Sequence, residues 1–151
     1  MDDKNLSRSE FVAIAGGLLL ALGLFLGWYH LGARDTLPGH GHGDTVSGWQ
    51  THTFLRYWLL AAALAPLILA YIIYRGHALS WPRGEMTAVT AIAAFGFIAY
   101  NVFVSKPGAV PGQTSLSIGA FVALGGAIMM GLGAAIRSSS VERPRKPPGT
   151  I

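Results

Sequence analysis

Four side chains able to hold a metal ion fall within one stretch of the chain: His40 and His42 with one residue between them, then Asp44, then His52. Imidazole and carboxylate together suit zinc or copper. Glycine alternates with them as Gly39, Gly41 and Gly43, so the segment is not preorganised and offers no second-sphere partner to orient a ring. A solvated polar loop is therefore expected, with zinc or copper binding as the alternative. His30 and His52 bracket the same loop and are the nearest approach to a bis-histidine haem pair, but both fall at the edge of an apolar run, where an interfacial histidine needs no cofactor. A second group, Arg56, Asn101, His52 and Tyr100, can take a small anion or a lipid headgroup. Against it stands a plain interfacial arginine whose stem lies along apolar surface while its head reaches water.

Catalytic chemistry has little to build on. There is no cysteine, hence no thiolate ligand, no cysteine nucleophile and no disulfide framework. No carboxylates pair at a workable spacing, no Ser, His and Asp set has a supporting context, and no glycine pattern that cradles phosphate follows a strand. Glu10, Asp35, Asp44 and Glu85 all flank apolar runs and read as solvated charges. The expectation is a protein that is not an enzyme and has no resident cofactor.

What must position these residues is set by composition. Of 151 residues 52% are hydrophobic and 12% charged, too much apolar surface for a soluble core of this size, so lipid must cover part of it. The net charge of +4 does not imply a nucleic-acid partner, because the basic residues sit in short flanks of apolar segments, where they set topology.

The spacing predicts one transmembrane domain over residues 1–136, with helices over about 11–31, 48–74, 86–104 and 116–136. Phe11 to Leu31 is uncharged and long enough, at about 31 Å of helix, to span. Residues 32–46 show neither helix nor strand periodicity and read as an exposed, mobile loop. Ser47 and Gln50 form a capping box that opens the second helix. Pro66 lies inside that helix and frees the Ala62 carbonyl, for which Thr87 and Thr90 are candidate donors. Residues 137–151, with Arg137, Arg143, Arg145 and Lys146, read as a disordered basic tail. Short connections make the helices neighbours, so the fold class is an all-α membrane protein, an antiparallel up-down-up-down bundle of four transmembrane helices.

Lys4, Arg8, Arg75, Arg83, Arg137, Arg143, Arg145 and Lys146 lie on one side of that bundle and Arg34, Arg56 and Lys106 on the other, which places both termini in the cytoplasm. Trp28, Trp49, Arg56, Trp58 and Trp81 are expected as anchors at headgroup level. Gly119, Ala123, Ala127, Gly131 and Ala135 recur every fourth residue and make a small-residue face that a neighbouring helix can approach closely. Ala13, Gly17 and Ala21 offer a matching surface on the first helix. These faces are expected to pack the first helix on the fourth, with a homo-oligomer or another membrane protein as the alternative occupant.

Four spans, the Ser47-Gly-Trp-Gln50 start of the second helix, Val104-Ser-Lys-Pro-Gly108 after the third and Ile118-Gly-Ala-Phe121 opening a glycine-rich fourth resemble small four-span membrane proteins of actinobacteria. The resemblance implies the four-span fold and a bacterial inner membrane, and it carries no activity. His40-Gly-His42 departs from it. The expected role is an accessory or scaffold subunit that binds another membrane protein or the lipid bilayer, ahead of a metal-binding membrane protein and of a small transporter. A transporter would carry ionisable residues inside its spans.

Overall fold

The computed structural model describes residues 6–34, 37–76, 84–107 and 114–140. In chain order the elements are α1 (Arg8–Phe25), β1 (Gly27–His30), β2 (Thr45–Ser47), α2 (Gly48–Thr51), α3 (Leu55–Tyr74), α4 (Glu85–Phe103), β3 (Ser115–Leu116) and α5 (Ile118–Ser140). Helix dominates, and α1, α3, α4 and α5 are long and apolar enough to cross a membrane. A three-stranded antiparallel sheet, in the order β2-β1-β3, accompanies them, so the all-α expectation is corrected.

α1 opens with a capping box of its own: Glu10 N–H donates to Ser7 Oγ over 3.4 Å, and Ser7 N–H donates to Glu10 Oε2 over 2.5 Å. It ends at Phe25, well short of the predicted Leu31, because Leu26 is already extended and the next residues enter the sheet. The Trp28 indole N–H reaches back to the Gly23 carbonyl at 2.7 Å, satisfying an acceptor that the stopped helix leaves open. Residues 45 and 46, expected in a loop, pair with β1 instead, together with the cap residue Ser47.

The predicted helix over 48–74 is two helices. Ser47 and Gln50 do form the capping box, with Ser47 N–H to Gln50 Oε1 at 2.9 Å and Gln50 N–H to Ser47 Oγ at 3.3 Å. α2 nevertheless stops after one turn, and α3 starts beyond His52. A Cβ on Gly48 would fall 2.5 Å from the Trp28 ring, so α2 is pressed against β1 at its first residue. Pro66 is accommodated in a continuous α3, and Thr90 Oγ1 donates to the Met86 and Thr87 carbonyls of its own helix, not across to α3. α4 closely matches its predicted bounds. α5 runs on through Ser140, past the predicted start of the tail at residue 137, while 141–151 lie outside the described residues.

The core runs from Leu20 and Leu24 on α1, through Trp28 and Tyr29, to Ala91, Ala94, Ile98 and Val102 on α4 and Ala123, Ala127 and Met130 on α5. α1 and α5 meet backbone to backbone. A Cβ on Gly23 would lie 2.5 Å from Ala123 N, one on Gly126 2.4 Å from Leu20 N, and one on Gly133 2.5 Å from Ala13 N.

Candidate functional site

The site is built from a fault in the sheet. Along β1 and β2 the register passes from Gly27↔Ser47 to Tyr29↔Val46, so Trp28 is an extra residue on its strand. A bulge of this kind turns a side chain away from the face it would otherwise take. Successive residues Trp28 and Tyr29 are accordingly both fully buried, where an unbroken strand would point them to opposite faces.

Inside, the Tyr29 hydroxyl donates to the Asn101 carbonyl at 3.2 Å and lies 3.3 Å from His52 Nε2. The His52 ring sits edge-on to Trp28 and Tyr29, with centroids 5.8 and 6.0 Å away. A phenol has one proton to give. With that proton on Asn101, the oxygen can only accept from His52, so Nε2 carries the hydrogen and Nδ1 is an acceptor. Burial lowers the His52 pKa below its ordinary 6.5 and pushes that of the Tyr29 phenol up, since an apolar setting disfavours the charged form of each. Both groups are held neutral. The backbone of His52 is tied as well, its N–H to the Gly48 carbonyl and its carbonyl to Arg56 N–H, each at 3.3 Å.

His52 also lines an open recess of about 440 Å³ at the seam of α3 and α4, together with Thr53, Phe54, Phe97, Tyr100 and Asn101. Asn101 Nδ2 donates one hydrogen to the Phe97 carbonyl at 2.8 Å, which leaves a second N–H and Oδ1 on that amide. Three members of the outer group, His52, Tyr100 and Asn101, thus meet around one recess. Arg56 stands apart. Its Nη1 donates to the Trp49 carbonyl at 3.4 Å and its Nη2 to the Tyr57 hydroxyl at 3.1 Å, with the guanidinium 5.2 and 4.8 Å from the two ring centroids.

His52 is therefore engaged with aromatic rings, not with the glycine loop. In that loop Asp44 Oδ2 accepts from Gly41 N–H at 2.7 Å, and His40 N–H donates to the Leu37 carbonyl at 2.9 Å. His30 Nδ1 lies 3.1 Å from Thr45 Oγ1. Among the described residues no three His, Cys, Asp or Glu side chains gather where they could hold a metal ion, so His40, His42, Asp44 and His52 do not come together as one ligand set.

The expected anchors divide. Trp28 is wholly inside the protein, so it is no headgroup anchor. Trp49 is half-buried, stacked on Phe25 at 5.1 Å, and Trp58 meets Phe97 edge-on at 5.1 Å. Trp81 lies outside the described residues. The small-residue stripes divide too. Gly119 lies against Leu26 and Gly27 just past α1, Ala123 lies on α1 at Gly23, Gly131 turns to Ala91 of α4, Ala127 is buried and Ala135 is exposed. Ala13 meets α5 at Gly133, Gly17 meets Ala63 and Pro66 of α3, and Ala21 is only partly buried against the core.

One constellation escaped the sequence reading. Glu10, expected to be solvated, is only 5% exposed and pairs with Arg137 Nε at 3.2 Å. Ser7-Arg-Ser-Glu10 is itself a capping-box sequence, and an antiparallel α1 and α5 would bring the start of one beside the end of the other. Those two signals together were enough to find the pair. The chain matches no protein-family model, and neither a curated protein nor a solved structure shows significant similarity to it.

Proposed function

We propose that this chain is a multi-pass protein of a bacterial inner membrane, an up-down-up-down bundle with both termini cytoplasmic, and that it serves as a non-enzymatic accessory subunit of another membrane protein. The observation that carries the reading is the contrast among its helix glycines. Gly16, Gly23, Gly126 and Gly133 each lie against neighbouring backbone, whereas Gly96 on α4 and Gly125 on α5 have nothing within 4 Å of the position a Cβ would take. A glycine inside a helix costs roughly 0.5–1 kcal/mol relative to alanine, and among the described residues nothing packs against these two. Small residues at a lipid-facing surface serve the close approach of another helix.

The spans support the non-enzymatic part of the reading. Their charged residues stand at the ends, as Arg8, Glu10, Arg56, Glu85 and Arg137, and the buried carboxylate is already ion-paired.

The test is a mild-detergent extraction in which the tagged chain and a Gly96→Leu, Gly125→Leu double variant are compared. The expected outcome is a defined membrane protein that co-purifies with the first and is lost from the second, with thermal stability unchanged. A solitary chain, or one whose associates survive both substitutions, sinks the subunit reading.

A further inference from the structure

The recess at the α3–α4 seam has a chemistry that the subunit reading does not use. Its polar wall brings together an imidazole, a carboxamide and the hydroxyls of Thr53 and Tyr100. Because the Tyr29 proton is committed to the Asn101 carbonyl, His52 Nε2 must be the donor of its ring, and Nδ1, with no partner among the described residues, is left as a lone pair. Asn101 gives one Nδ2 hydrogen to the Phe97 carbonyl and keeps a second N–H beside its oxygen. The remaining walls are Phe54, Phe97 and Tyr100, with Thr53 at the rim.

No charge balances a charged guest. Neither a carboxylate nor a guanidinium lines the recess, since Arg56 is held between Trp49 and Tyr57. A phosphate or carboxylate would enter with no cation to balance it and would face the His52 lone pair, and an ammonium would enter with no carboxylate to balance it, attraction to the ring faces being its one compensation. A neutral donor meets neither penalty. The volume, about 440 Å³, is within the range of small-ligand sites, which are mostly apolar with a few fixed polar groups. The floor is also rigid: the His52 ring is wedged edge-on against two buried aromatic side chains, so its acceptor does not have to be ordered when a guest arrives.

We infer that this recess binds an uncharged amphiphile through a hydroxyl head, an alcohol or a phenol, which donates its one proton to His52 Nδ1 and accepts from the remaining Asn101 Nδ2 hydrogen, while its apolar body lies against Phe54, Phe97 and Tyr100. The two sources of such a head, a lipid alcohol and an aromatic phenol, are separated by experiment. This inference is independent of the subunit reading, because it uses neither Gly96 nor Gly125.

The full chain is placed in phosphatidylcholine nanodiscs and titrated with four probes of equal chain length: a 4-alkylphenol, a 1-alkanol, an alkylammonium and an alkyl phosphate. Trp58, edge-on to Phe97 at 5.1 Å, reports binding through its fluorescence. Saturable binding is expected for a neutral probe, the phenol if the aromatic walls select a ring and the alkanol if they do not, with the charged probes at least about tenfold weaker. His52→Phe retains the ring edges and removes the acceptor. Asn101→Leu retains the backbone carbonyl that holds Tyr29. Each is expected to weaken binding about tenfold, as for the loss of one hydrogen bond, whereas Arg56→Gln leaves it unchanged. Binding of the ammonium or phosphate as tightly as the neutral probes, no saturable binding of any, or unchanged affinity in Asn101→Leu with its far-ultraviolet circular dichroism intact overturns the inference.

Discussion

α1 and α5 are joined through backbone, α3 and α4 through side chains, and the two seams behave as different materials. At the first, glycines on each helix lie where a methyl group would strike the other helix's main-chain atoms. At the second, Trp58 and Phe97 meet edge to face, and a recess opens beside them. Half of the α5 span is buried within the protein, against 28% of the α3 and α4 spans. Lipid tails are as apolar as leucine, so packing and hydrogen bonds, not the hydrophobic effect, decide which helices associate. The glycine seam holds the bundle together, and the aromatic seam is where a guest can be admitted.

The sharpest way to break that contrast is a pair of adjacent residues on α5. A Cβ on Gly126 would sit 2.4 Å from Leu20 N and 2.8 Å from the Gly16 carbonyl, whereas one on Gly125 would meet nothing within 4 Å. Gly126→Leu should therefore force α1 off α5 and cost about 3 kcal/mol or more, at the upper end for overpacking because backbone cannot move aside as a side chain can. Gly125→Leu should be neutral to within about 0.5 kcal/mol. Thermal unfolding of the two variants in one detergent measures both. Equal losses would show that the seam is not where stability resides.

The next effect is electrostatic and lies at the end of the same seam. Glu10 is buried and Arg137 partly so, with 22% of its side chain exposed. Removing one partner of a fully buried pair costs about 3–5 kcal/mol, because the other charge is stranded. With Arg137 partly solvated, Arg137→Met is expected to cost about 2 kcal/mol. Glu10→Gln, which keeps an acceptor for the Ser7 N–H, should cost less. The decisive measurement is the double variant: if it is as unstable as the sum of the singles, the two residues do not interact.

Much of the architecture was legible in the residues, and the failures have definite causes. Four apolar spans and the Ser47 and Gln50 capping box could be read directly. The packing stripe could be read only at its start. A four-residue step on a helix with 3.6 residues per turn overshoots by about 40°, so the line Gly119, Ala123, Ala127, Gly131, Ala135 begins at the end of α1, winds past it to Ala91 of α4 and ends exposed. The true line of contact, Gly119, Gly126 and Gly133 with Ala123 and Met130 between, has a seven-residue repeat, which drifts only about 20° per step. The sheet was hidden for another reason. Gly27-Trp-Tyr-His30 continues an apolar run, and only pairing with β2 and β3, distant in sequence, ends the helix before it. The bulge that turns Trp28 inward is a property of that pairing. With it went the neutral, aromatic setting of His52, which sequence alone grouped with His40 and His42.

His52 also supplies the smallest of the expected effects and the one that speaks to the aromatic side alone. Its pKa is lowered on folding because its ring is partly buried against Trp28 and Tyr29. A base with a depressed folded-state pKa binds fewer protons when folded than when unfolded, so its contribution is fully present above about 6.5, the unfolded value. It is lost as the pH falls from there through the folded value. The titratable groups beside it are Tyr29, whose phenol burial pushes further from this range, Tyr100 on the recess wall, and Arg56, whose N–H holds the His52 carbonyl. None is a carboxylate that would favour the imidazolium. The quantity to measure is a difference: the fall in melting temperature between pH 7.5 and 5.0 for the unaltered chain minus that for His52→Phe. A positive difference is expected, smaller than either seam effect. If it is zero or negative, His52 is as comfortable charged as neutral, and the fixed lone pair on which the aromatic side depends is not there.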